Sequence, residues 1–274
     1  MKKFLKGLLW LVIVAGLCVG GYICWKGIEK ADEYERAASL NSLVEEVRNA
    51  QDYVPYDQVS PCLYQATVAV EDARYYEHGA VDWKSLIRAA ASQVIPWMPK
   101  SGGSTIAMQV VKNLYHQFES SPSWKISEIV LAHRLCQQYS KDEILSIYVN
   151  IINYGDDFHG ISEAAWGYYQ TSPAALSEGQ ATILAGIPQS PRAYELFENY
   201  ENARAKQKVV LAAMVRSHMI DQAQSDAIYA QPCQPVSNGW IGMSSGMRLI
   251  SFELPAAYTL IGQSFQPTLN FAAA

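Results

Sequence analysis

A mainly α-helical fold with one N-terminal transmembrane helix is what this 274-residue sequence predicts, on three observations. A stretch without charge, Gly7 to Trp25, lies near the start. At about 1.5 Å rise per residue it just crosses a hydrocarbon core about 30 Å thick. Helix start and stop signals then punctuate residues 60–220. Few segments show the period-two alternation that a half-buried sheet needs. With 50% hydrophobic and 17% charged residues, 17 Gly and 12 Pro, the composition is that of a folding chain.

In chain order, Lys2, Lys3 and Lys6 form a cytoplasmic stub over 1–6, and 7–25 is the transmembrane anchor. Lysines before the span and acids after it (Glu29, Asp32, Glu33, Glu35) put the N-terminus in the cytoplasm and the body outside. The apolar run is long for a cleaved leader and no small-x-small site follows it, which favours a retained, single-pass anchor. Residues 26–55 read as a charged stalk helix, with Leu40, Leu43, Val44 and Val47 at helical spacing and a break at Val54 before Pro55. Residues 56–222 are the body. In it Ser140 to Glu143 is a capping box opening a helix to about Asn150, and Ser177 to Gln180 is another whose helix ends before Pro188. Ala203 to Met219 is a third long helix. Residues 223–274 form a tail of unassigned role; from 227 onward only Arg248 and Glu253 carry charge, and Trp240 to Phe265 suits short strands.

A net charge of −5 leaves no basic footprint, so nucleic acid is not an expected partner. Five cysteines with no C-x-x-C pair do not make a zinc site. Cys62, Cys136 and Cys233 leave room for one disulfide outside the membrane, with a thiol left over.

Two segments carry chemistry. Glu71 to His78 packs acids, a base and aromatics into eight residues, and Gly102-Gly-Ser104-Thr105 opens an apolar helix bearing Gln109, Lys112 and Asn113. A glycine turn before a helix offers free N–H groups to an anion. Together they resemble glycosyltransferase family 51, the peptidoglycan glycosyltransferases. The family pattern E-D-x-x-F-x-x-H-x-G-x-D resembles Glu71, Asp72, Tyr75, His78 and Asp82; G-G-S-T-I-x-Q-Q-x-x-K-N resembles Gly102 to Asn113. The block R-K-x-x-E with S-K-x-E-I-L-x-x-Y-L-N resembles Lys125, Glu128 and Ser140 to Asn150, and a later block resembles Gly160, Ala164, Ala165, Tyr168, Tyr169, Glu178, Ala181 and Leu184.

The resemblance implies a lysozyme-like, two-lobed glycosyltransferase domain on the bacterial cytoplasmic (inner) membrane. It implies that lipid II is polymerised onto a growing glycan strand, with inversion and release of undecaprenyl pyrophosphate. Glu71 then matches the general base and Glu128 the second carboxylate. Lys112 and Lys125 match cations beside the pyrophosphate. Ser104, Thr105, Gln109 and Asn113 match a polar, substrate-binding wall. Asp72 is the one candidate metal ligand, and a divalent cation such as Mg2+ at the pyrophosphate is the one candidate cofactor. Expected partners are lipid II, the glycan strand, the membrane and other cell-wall synthesis proteins. His78, Tyr75, Tyr168, Ser140 and Asn150 are expected in structural roles. With no S-x-x-K or K-T-G, a monofunctional transglycosylase fits.

The sequence also departs from the family. Met108 replaces the first of the paired Gln, Trp124 replaces the Arg before Lys125, and Cys136 stands where a Glu often does. A lost cation at Trp124 implies weaker stabilisation of the leaving pyrophosphate, worth about 1.5–3 kcal/mol per charged hydrogen bond. Two further readings stay open on these residues: a degenerate, weakly active or non-catalytic cell-wall scaffold, and a glycan-cleaving enzyme that uses Glu71 and Glu128 as a carboxylate pair.

Overall fold

The structure is a computed structural model that describes residues 2–95, 97–98, 102–118 and 121–236. Twelve α-helices and no named strand lie among the described residues; the nearest thing to a sheet is one antiparallel bridge between Asn153 and His159. The apolar segment Val94 to Pro99 is only partly described, and the suggested strands of Trp240 to Phe265 lie outside the described residues.

Helix α1 (Lys2–Ala37) is unbroken. Its most apolar 18-residue window has a mean hydropathy of 2.2 and is exposed throughout, so the helix is long and apolar enough to cross a membrane. The expected stalk helix over 26–55 is not one helix. It comprises the end of α1, a break at Ala38–Ser39 and a short α2 (Leu40–Arg48) capped by the Ser39 hydroxyl. Nor does it stand free, because Leu40, Leu43, Val44 and Val47 are buried in the core. Their helical spacing was a docking face, which a solvated stalk would not need.

Next come α3 (Pro61–Glu71), with Pro61 in its first turn, and α4 (Trp83–Val94), capped by Asp82. α5 (Ile106–Leu114) is capped by Thr105, α6 (Pro122–Gln138) by Ser121, and α7 (Lys141–Ile151) by the Ser140–Glu143 capping box. Then follow α8 (Ile161–Tyr169) and α9 (Glu178–Leu184), the latter opened by the Ser177–Gln180 box. α10 (Pro191–Tyr194), α11 (Tyr200–Arg216) and α12 (Gln222–Ala230) complete the set. The two capping boxes satisfy otherwise orphaned N–H groups, which is why sequence located these helices so closely.

α5 is the central element. Ile106, Ala107, Met108, Val110 and Val111 are buried, and the helix packs on both α6 and α7. α3 packs on α9 and α11, and α1 packs most extensively on α6. The boundary set for the tail also shifts: α12 packs on α9 and α11, Ile228 is buried, and the Cys233 thiol is sealed beside Arg204. An aspartate-opened capping box, Asp221 to Gln224, starts this helix. No disulfide links any of the five cysteines.

Candidate active site

Glu71 is the last residue of α3, where the helix ends against the first turn of α5. Asp72 makes that junction. Its Oδ2 accepts from the Ile106 N–H at 3.2 Å, and its Oδ1 faces His78 Nε2 at 2.7 Å, while His78 Nδ1 faces the Gly79 carbonyl at 2.8 Å. Asp72 and His78 thus pin the first block to the second, as expected of a structural His78. Tyr75, buried, donates to the Lys141 carbonyl at 2.7 Å and ties the block to α7. Gly103 lets the second block close on α4: a Cβ there would sit 2.9 Å from Ala89 Cβ.

Glu71 projects toward α5. Its Oε2 accepts from Gln109 Nε2 at 2.8 Å. Tyr148 of α7 donates to Gln109 Oε1 at 3.4 Å, which orients the amide with its NH2 toward Glu71. Burial raises the Glu71 pKa above the usual carboxylate range and Asp72 adds to the rise, while Gln109 and Lys206 oppose it. A raised pKa on a half-buried carboxylate suits a group that must accept a proton.

The second carboxylate is on α6, which packs on α5. Glu128 is 4% exposed on α6, and both its oxygens receive Lys125 Nζ, at 3.1 and 3.2 Å. Lys125 also donates to Ser104 Oγ at 2.8 Å, so the glycine turn, the lysine and the carboxylate form one chain of contacts. Burial raises the Glu128 pKa; Lys125 and Lys112 act in the opposite direction. The structure therefore brings Glu71 to Gln109, and Glu128 to Lys125, Ser104 and the field of Lys112.

Two of the expected wall residues hydrogen-bond to backbone groups. Thr105 is sealed: its hydroxyl caps α5 by accepting from Met108 N and donates to the Ala80 carbonyl at 2.6 Å. Asn113 donates to the Gln109 carbonyl one turn back at 2.8 Å. Asn150 bridges Val54 and Ser146, and Tyr168 donates to Tyr154 O and Asp156, both structural as expected. Met108 is fully buried in the core beneath the site.

Trp124 corrects the largest expected departure. It is 2% exposed and meets the Tyr34 ring of α1 edge-on, with centroids 5.4 Å apart. Adjacent residues on a helix point about 100° apart, so Lys125 faces Ser104 and Trp124 faces α1. The position is a packing site between helices.

Asp72, His78 and Asp82 offer ligand atoms within 4.8 Å of one another. Asp72 already accepts from Ile106, and Asp82 accepts from Arg74 and from Ser85 N and Oγ. A cation there would share these carboxylates with the contacts they already make.

Sequence reasoning missed Lys206. It is buried on α11, donates to Gln189 Oε1 at 2.5 Å, and is the cation whose field reaches Glu71. Burial lowers its pKa and Glu71 pulls it back up. The signal was present: Lys206 and Gln207 interrupt the buried stripe of Ala203, Val210, Leu211, Ala213 and Met214.

The family described as Transglycosylase matches residues 38–215. The chain belongs to that family. Penicillin-binding protein 2D of Bacillus subtilis (strain 168) is 35% identical over 180 residues, which is 66% of this chain and 26% of that protein. Penicillin-binding protein 1A of Neisseria gonorrhoeae is 38% identical over 164 residues, 60% of this chain and 21% of that one. The chain thus spans about a quarter of the length of these two relatives. A biosynthetic peptidoglycan transglycosylase of Dechloromonas aromatica (strain RCB) is 33% identical over 218 residues, 78% of this chain and 94% of that protein. The family's limits begin at residue 38, so α2 lies within the matched region and α1 precedes it.

Proposed function

We propose that this chain is a membrane-anchored peptidoglycan glycosyltransferase that polymerises lipid II into glycan strands and releases undecaprenyl pyrophosphate. The observation that carries this reading is the pair of carboxylates reached from one face of α5, Glu71 beside the Gln109 amide and Glu128 beside the Lys125 and Lys112 ammonium groups. Glu71 has its Oε2 held by Gln109, and among the described residues Oε1 accepts no hydrogen bond. That oxygen is the one to take the proton from the acceptor sugar's 4-hydroxyl. As the proton leaves, the hydroxyl oxygen bonds to the anomeric carbon of the donor, and the bond from that carbon to the pyrophosphate breaks with inversion. The departing pyrophosphate gains charge, and Lys125 and Lys112 supply the positive field on that side. Glu128 holds Lys125 in place.

A glycan-cleaving enzyme needs no ammonium groups at a leaving pyrophosphate, and the packing of Trp124 between helices gives that residue a structural role that does not depend on lost catalysis. In this reading α1 anchors the chain in the bacterial cytoplasmic membrane with the body outside, where the lipid-linked donor is met. Incubating the purified protein with lipid II separates the readings. Polymer supports this proposal; shortened glycan from preformed strands supports cleavage; no product supports a scaffold.

A further inference from the structure

α1 is more than a tether. It runs without a break from its apolar segment into the contact with α6, and no loop separates the two functions. At Gly27 the two backbones touch. A Cβ on Gly27 would overlap Ile126 Cβ and lie 2.6 Å from Ile126 Cγ2 and 2.9 Å from Ser123 O. Ser127, fully buried, donates its hydroxyl to the Gly27 carbonyl at 2.7 Å, a side-chain bond across the helix pair. Farther along, Ala31 is buried, Tyr34 meets Trp124, and Arg134 of α6 pairs with Asp32 at 2.6 Å and with Glu35. From Gly27 to Glu35 this contact covers about 12 Å of helix. It therefore fixes the height, tilt and roll of α6 against α1 together.

α6 carries the donor-side pair, and the two faces interleave: Trp124 and Ser127 face α1, while the next residues along, Lys125 and Glu128, face the site. Gly27 lies two residues beyond Trp25, the end of the uncharged run. At 1.5 Å per residue this is about 3 Å past the apolar segment, inside the polar layer of about 5–8 Å that borders each side of the hydrocarbon core.

We infer that the α1–α6 contact holds Lys125 and Glu128 at the headgroup level of the bilayer, with Gly27 and Ser127 as its positioning residues, so that the pyrophosphate of a lipid-linked donor is met where it lies in the membrane. The inference rests on the glycosyltransferase reading above. A flexible tether would let the body find the donor at any height; a rigid continuous helix admits one height.

The test lifts the body without touching its contacts. Seven polar helix-forming residues inserted between Trp25 and Lys26 add two turns, about 10 Å, and return Lys26 to within about 20° of its original face. All of α1 from Lys26 onward keeps its contact with α6, and an unchanged melting temperature verifies this. Rates are measured on two donors: full-length lipid II in phospholipid vesicles, and the same head group on a short, water-soluble prenyl chain. The lifted protein should lose at least about tenfold in kcat/KM on the embedded donor and stay within about twofold on the soluble one. Parental activity on the embedded donor, or an equal loss on both, overturns the inference. If the unmodified protein polymerises neither donor, the glycosyltransferase reading fails and the inference goes with it. Gly27→Ala wedges the same contact and should lower the embedded-donor rate, and adding Ile126→Gly should return it in part; an unaffected Gly27→Ala, or a pair that shows no return, overturns the role of Gly27.

Discussion

Replacing Trp124 by the arginine that the family usually carries tests whether position 124 serves chemistry or packing. The indole is 2% exposed and lies edge-on to Tyr34. Its Nε1 has no hydrogen-bond partner among the described residues. Removing a buried tryptophan side chain costs about 3–5 kcal/mol. The arginine stem refills part of the volume, but an unpaired buried charge carries a penalty of several kcal/mol of its own. Trp124→Arg should therefore destabilise the body by about 3–5 kcal/mol, or about 10 °C in melting temperature for a domain of this size. Turnover should stay flat or fall. Trp124→Phe keeps an aromatic edge and removes the orphaned N–H, so it should stay within about 1–2 kcal/mol of the parent. Thermal melting in detergent, read beside the initial rate at saturating lipid II, decides the matter. A Trp124→Arg protein with an unchanged melting temperature and a faster rate would refute the packing argument and put this side chain at the leaving group.

Three other outcomes follow from the site. Glu71→Gln keeps size and hydrogen bonding but cannot accept the proton, so polymerisation should drop by at least about 10²-fold with the fold intact; near-parental turnover would remove Glu71 from its role. The groups facing the Glu71 carboxylate are Asp72 on its own chain segment, Gln109 of α5, Tyr148 of α7 and Lys206 of α11. Since Lys206 pulls the Glu71 pKa down, Lys206→Met should raise it, moving the acid limb of the kcat/KM profile to higher pH, while Lys206→Arg holds it; a limb that stays or moves lower contradicts this. Asp82 is depressed from 3.8 to about 2: burial alone would raise it, but the Ser85 hydroxyl and N–H and the Arg74 guanidinium outweigh that. Its contribution, about 2 kcal/mol, is present above pH 4 and lost as pH falls toward 2, so Asp82→Asn should narrow the stability gap to the parent across that window, as denaturant midpoints will show.

Local signals carried much of this protein in the sequence. Capping boxes at Ser140 and Ser177 located two helices because they satisfy backbone groups within four residues of the cap, and the uncharged run of α1 was legible for the same local reason. Glu71, Glu128, Lys125, Lys112, Ser104 and Gln109 stood in recognisable patterns, yet only packing sorted them. Thr105 became a sealed cap because its hydroxyl faces inward onto Met108 N and the Ala80 carbonyl, and Asn113 became a brace because its amide reaches the Gln109 carbonyl one turn back. What the sequence by itself determined is the helical class, the apolar helix and the set of polar side chains. What tertiary structure decided is which faces meet. Leu40 to Val47 look the same in a stalk as in a core, Lys206 looks like a surface lysine until α11 lies on α3, and Trp124 looks like a lost cation until Tyr34 covers it. Periodicity gives the angle of a side chain around its own helix, and the partner across the contact is set by chain closure tens of residues away.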